Sequence, residues 1–137
     1  MDKKYFTIEE AQKALPKVKE TVLKLQQLQE AIDMVNSVYL DPDQMSYDEY
    51  MATDTQLSKK FHKFSYEFYK ELEKLDRMGI LIKDLPLGLV DFYAKFEGRD
   101  IFLCWHLGED KIKCWHELHE GFKFRKPIID LGEIKIN

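Results

Sequence analysis

Along the first third of the chain, apolar side chains recur at three- and four-residue spacing: Leu15, Val18, Val22, Leu25, Ile32 and Val35. At about 100° per residue these positions fall on one side of a helix, so the run predicts an amphipathic helix reaching about Ser37. Its start is marked by Thr7-Ile8-Glu9-Glu10, in which the Thr7 hydroxyl can accept from the Glu10 amide while the Glu10 carboxylate reaches back, with Phe6 placed to staple the turn against Ala11. Pro16 removes an amide donor and disfavours helical dihedrals at Leu15, which predicts a short helix, a break near residue 15 and then a long helix.

A turn composition, Asp41-Pro42-Asp43, precedes a second capping pattern at Ser46-Tyr47-Asp48-Glu49. From there Tyr50, Leu57, Phe61, Phe64, Phe68, Leu72 and Leu75 lie on one stripe, and Gly79 is the stop. A helix of about 32 residues at about 1.5 Å rise would span roughly 48 Å, and the short connection makes an antiparallel hairpin the natural packing. Gln29, Asn36 and Asp54 interrupt the apolar seam, either pairing across it or marking where it opens to water. Tyr47, Met51, Tyr66 and Tyr69 add apolar surface outside the main stripe, which predicts a homodimer through the helices.

From Ile80 the period falls from 3.6 to 2, the mark of a change from helix to sheet. Val90, Phe92, Ala94 and Phe96 alternate with Asp91, Tyr93 and Lys95, and Ile101, Leu103, Trp105 and Leu107 alternate with Phe102, Cys104 and His106. Between them Glu97-Gly98-Arg99-Asp100 reads as a hairpin turn with Gly98 first of the two central residues, a register that pairs Phe96 with Ile101 and sets Asp91 opposite His106. Gly108-Glu109-Asp110 makes the next turn, Lys111 to Leu118 a further strand, and Ile80 to Asp84 a possible edge strand. The expectation is α+β: one domain over 1–137, a long antiparallel helical hairpin (1–79) packed on a three- to four-stranded antiparallel meander with a C-terminal tail (80–137).

Composition narrows the classes. A chain of 137 residues that is 45% apolar suits one core. No apolar run approaches the roughly 18 residues of a membrane span, and the start has no signal-like segment, so a soluble cytoplasmic protein with no membrane partner is expected. The net charge of −4, with both signs interleaved, disfavours nucleic acid. Two cysteines do not make a disulfide framework.

The triplet Cys-Trp-His occurs twice, as Cys104-Trp105-His106 and Cys114-Trp115-His116, and four such ligands suit tetrahedral zinc if they converge. A four-residue loop over Gly108–Lys111 sets Leu107 beside Ile112, puts the two thiols on opposite faces and turns His116 toward the helices. A three-residue loop with a bulge pairs Cys104 with Cys114 and gathers all four. Apolar alternation favours the first register, since a one-residue slip would turn Ile112 away from Leu107. On that basis no cofactor is expected, zinc being the alternative, and both tryptophans are read as packing residues. Asp91, Glu109, His116, Glu117 and Arg125 are the candidate ligand-binding set at the rim of the sheet; Glu117 is placed to approach Phe102, and Asp91 with His106 is either a charged pair or two solvated groups.

Gly-Leu-Val-Asp-Phe at 88–92, Leu-Cys-Trp at 103–105, Gly-Glu at 108–109, Trp-His-Glu at 115–117, and Gly121-Phe122 followed by Arg125 and Pro127 together resemble an uncharacterised prokaryotic family, domain-of-unknown-function family 2203. Phe-Thr-Ile-Glu-Glu-Ala at 6–11 and Leu15-Pro16 extend the resemblance over nearly the whole chain. It implies a small cytosolic protein without an assigned activity. It also implies a basic residue in place of His106, no cysteine in place of Cys114 and an acid in place of His119, so the four ligands would not travel as a set. No nucleophile elbow, phosphate loop, dinucleotide fingerprint or glycosidase-type carboxylate pair is present, and the sequence leaves open whether the protein is an enzyme. The leading expectation is a non-catalytic structural or interaction module. The alternative is a metal- or small-anion-binding protein, whether or not an enzyme, with its site around His116.

Overall fold

A computed structural model describes residues 3–128. Two helices, α1 (Ile8–Asn36) and α2 (Tyr47–Met78), are followed by strands β1 (Ile80–Asp84), β2 (Leu89–Phe96), β3 (Arg99–His106), β4 (Cys114–Glu117) and β5 (Lys126–Pro127). The strands form one antiparallel sheet in the order β1-β2-β3-β4-β5, a meander with one strand more than expected. No helix among the described residues is long and apolar enough to cross a membrane.

The helix boundaries follow the capping chemistry. Thr7 accepts from the Glu10 amide and Glu10 from the Thr7 amide, Ser46 accepts from the Glu49 amide, and Gly79 closes α2 in the left-handed conformation at φ 77°. Contrary to the sequence expectation, α1 runs unbroken through Pro16. Leu15, Val18 and Val22 on either side of the proline are all buried, so packing outweighs the cost of the lost amide donor.

The apolar face of the sheet packs against α1. Ala11, Leu15, Val18, Val22 and Leu25 meet Val90, Phe92, Ala94, Ile101, Leu103, Trp105 and Trp115, and both tryptophans are core residues. Helix α2 lies along α1, and Leu75 is its one buried residue; Phe68, Leu72 and Met78 pack at the edge of the core.

Both hairpin registers differ from those expected. The β2–β3 turn is centred on Glu97-Gly98, both at positive φ (51° and 77°), which pairs Phe96 with Arg99 and Asp91 with Cys104. Such a primed turn matches the twist of the flanking strands, whereas a turn centred on Gly98-Arg99 would move each partner along by two residues. Asp91 is therefore opposite Cys104 rather than His106. At β3–β4 the pairing is Cys104 with Cys114 and Phe102 with His116, so the thiols share a face and His116 points away from the helices. Ile112 nevertheless stays buried, because residues 107–113 leave the strand and its amide donates to Gln12 Oε1 of α1 at 2.9 Å. A loop residue need not obey strand alternation, and the conflict that favoured the other register disappears. The strand expected over Lys111–Leu118 is accordingly confined to Cys114–Glu117.

Two glycines separate backbone strain from crowding. Gly98 (φ 77°) faces open space, whereas a Cβ at Gly88 (φ 70°) would lie 2.5 Å from Leu107 Cβ. Gly98→Ala is expected to cost about 1–2 kcal/mol, the left-handed penalty alone, and Gly88→Ala about 1–3 kcal/mol more through overpacking. Urea unfolding of both variants checks this order; equal losses contradict it.

Candidate functional site

On the side of the sheet away from α1, alternation places Asp91 on β2, Cys104 on β3 and His116 on β4. One donor atom from each lies within 4.8 Å of the others, and all three residues are buried. His116 Nε2 is 3.1 and 3.2 Å from the two Asp91 carboxylate oxygens, and Nδ1 is 2.9 Å from the Glu117 carbonyl. A carbonyl oxygen only accepts, so Nδ1 carries the proton and Nε2 is the atom turned to Asp91.

These side chains floor a cavity of about 130 Å³. Leu89 and Phe102 stand at its sides, and the segment after β4 covers it with Leu118, Gly121 and Phe122. Lys83 and Glu120 complete the lining. Lys83 Nζ lies 4.6 Å from the centre of the Phe102 ring, which stands 5.4 Å from the His116 ring.

Burial pushes the Cys104 thiol up to about 12, and the neighbouring Asp91 carboxylate adds to the effect, so the thiol is protonated at neutral pH. For His116 burial acts downward, but hydrogen bonds to Asp91 and to the Glu117 carbonyl outweigh it and hold the imidazole above its ordinary value. The floor thus pairs an imidazole whose pKa is held up with the carboxylate of Asp91, beside a neutral thiol.

Of the five candidate ligand-binding residues, Asp91 and His116 come together. Glu109 and Arg125 form a separate clasp: Arg125 Nη2 donates to both Glu109 oxygens at 2.7 and 2.9 Å, and the His106 amide donates to Glu109 Oε1 at 2.7 Å. The clasp ties the covering segment to the turn after β3. Glu117, rather than reaching Phe102, is at the far end of the sheet, where Arg99 Nη2 and Nε donate to it at 2.6 and 2.9 Å and hold its carboxyl below the usual range. Of the four alternative metal ligands, Cys104 and His116 belong to the cluster. His106 packs at 5.8 Å against the Phe122 ring, and Cys114, paired with Cys104 on one side and Pro127 on the other, is outside the cluster. Sequence reasoning missed the grouping of Asp91 with Cys104, which hangs on the Glu97-Gly98 turn, and the part of Lys83, which sits at a β1–β2 irregularity between Ile82 and Asp84.

The chain belongs to the family described as "Uncharacterized conserved protein (DUF2203)", whose model matches residues 4–128. No curated protein and no solved structure matches it.

The raised pKa of His116 has a stability consequence of defined sign. A histidine held above its unfolded value contributes stability that is fully present below about pH 6.5 and is lost as pH rises through the folded value. His116→Gln is therefore expected to destabilise the metal-free protein more at pH 6 than at pH 8, by about 2–3 kcal/mol at the lower pH, because the charged His116–Asp91 pair it removes is more populated there. Denaturant titrations at the two pH values check this; a larger loss at pH 8 contradicts it.

Proposed function

We propose that this member of an uncharacterised family is a metal-binding protein that holds one divalent ion of the zinc type on Asp91, Cys104 and His116. The observation that carries the reading is the convergence of a carboxylate, a thiol and an imidazole within 4.8 Å of one another at the floor of a cavity. Zinc is the borderline-soft ion that accepts all three donor types. Tetrahedral zinc with arms of about 2.0–2.1 Å sets an imidazole nitrogen and a carboxylate oxygen about 3.4 Å apart, and the Nε2–Asp91 separations are 3.1 and 3.2 Å. The bond from Nδ1 to the Glu117 carbonyl is the outer contact that metal-bound histidines commonly make, and it leaves the Nε2 lone pair for the ion.

Binding must displace the His116 proton and the Cys104 proton. At pH 6 about two protons should leave per ion, falling toward one above the His116 pKa. Calorimetric zinc titrations of the untagged, chelator-stripped protein, in buffers of different ionisation enthalpy, read that number. Asp91→Asn, Cys104→Ser and His116→Gln should each abolish or strongly weaken binding, whereas Cys114→Ser and His106→Lys retain it. Absence of binding, or loss in the last two variants, overturns the reading.

A second reading, self-association as a structural or interaction module, is favoured by α2. Only Leu75 of this 32-residue helix is buried, while Tyr47, Met51, Tyr66 and Tyr69 are exposed. On this reading two copies pair through their helices and light scattering at micromolar concentration gives a dimer mass; a monomer mass removes it.

A further inference from the structure

Three protein ligands leave one of four tetrahedral positions open, and the cavity lies above the floor that those ligands form. We propose that this position takes a small monoanion, held between the metal and Lys83. The inference rests on the metal site proposed above.

Size comes first. A space of about 130 Å³ is well below the roughly 300–1,000 Å³ of pockets for drug-sized molecules, so the occupant has only a few heavy atoms. Leu89, Phe102, Leu118 and Phe122 offer it no hydrogen bonds, which leaves the metal and the rim to hold its polar end.

Charge then selects its sign. The Asp91 carboxylate and a metal-bound Cys104 thiolate balance a divalent ion, so the loaded floor is neutral. Around it the charges are paired with one exception. Glu120 accepts from Lys126 Nζ at 2.9 Å, and Glu109 is clasped by Arg125. Lys83 forms no ion pair among the described residues; its Nζ lies over Phe102, which also lines the cavity. An anion at the open position would find an unneutralised cation at the rim of a cavity lined largely by apolar side chains, where Coulomb attraction is stronger than in bulk water.

The test uses the cobalt(II)-loaded full chain titrated with sodium azide and read by visible absorption, in wild type and in Lys83→Gln. Lys83 is exposed, so the substitution spares the core, and unfolding curves verify that the fold is kept. The expected result is a thiolate-to-cobalt charge-transfer band on loading, a shift of the ligand-field bands with azide, and a half-saturation concentration raised on the order of fivefold in Lys83→Gln. A cobalt spectrum unmoved by azide, or equal azide affinity in the two proteins, overturns the inference and leaves the metal site standing. Failure to take up cobalt overturns the metal site, and this inference with it.

Discussion

Period-two alternation along three neighbouring strands is the constraint from which the rest of the arrangement follows. Burial of Phe92 on β2, Leu103 on β3 and Trp115 on β4 against α1 commits alternate side chains to the helix-facing side, each worth on the order of 1.5–3 kcal/mol. The residues between them have only the opposite side to occupy. Asp91, Cys104 and His116 are therefore gathered on one face by the packing of their neighbours, and the exact pairing of β3 with both partners decides which of them touch. A slip of one residue at either hairpin would reverse a face; a slip of two would keep the faces and separate the trio.

Gathering these groups under cover has an energetic cost that the local geometry offsets. A buried carboxylate is tolerated because His116 faces it, and the imidazole is held in place by the Glu117 carbonyl on its other side. The covering segment is in turn held down by ion pairs, Arg125 with Glu109 and Lys126 with Glu120, and by Phe122 against His106. Hydrogen bonds and charge pairs, rather than a second helical layer, thus close the polar side of the sheet. This division explains how one sheet keeps an apolar core and a buried polar cluster on opposite faces of the same strands.

Much of the fold was legible because its signals are local. The Thr7–Glu10 box, the Ser46 cap, the Gly79 stop and the change of period at Ile80 each act within one turn or one strand, and each is found where the sequence puts it. The features that were not legible depend on distant partners. The continuity of α1 through Pro16 comes from burial against the sheet. Ile112 reaches the core from a loop because Gln12, a hundred residues earlier, receives its amide. The Glu97-Gly98 turn lacks the Asn or Asp that usually announces positive φ at the first central position, so the sequence points to a turn centred one residue later, which moves the pairing by two residues and sets Asp91 against His106. His116 and Asp91 were recognisable as chemistry-bearing residues; their meeting with Cys104 was a matter of register.

One thiol is decisive. The proposed ion would meet Cys104 and not Cys114, although the two are directly paired across β3 and β4. X-ray absorption at the zinc edge of the loaded, untagged protein counts the sulfur atoms around the metal. One sulfur is expected, with the remaining ligands nitrogen and oxygen; two sulfurs, or none, would contradict the proposed site.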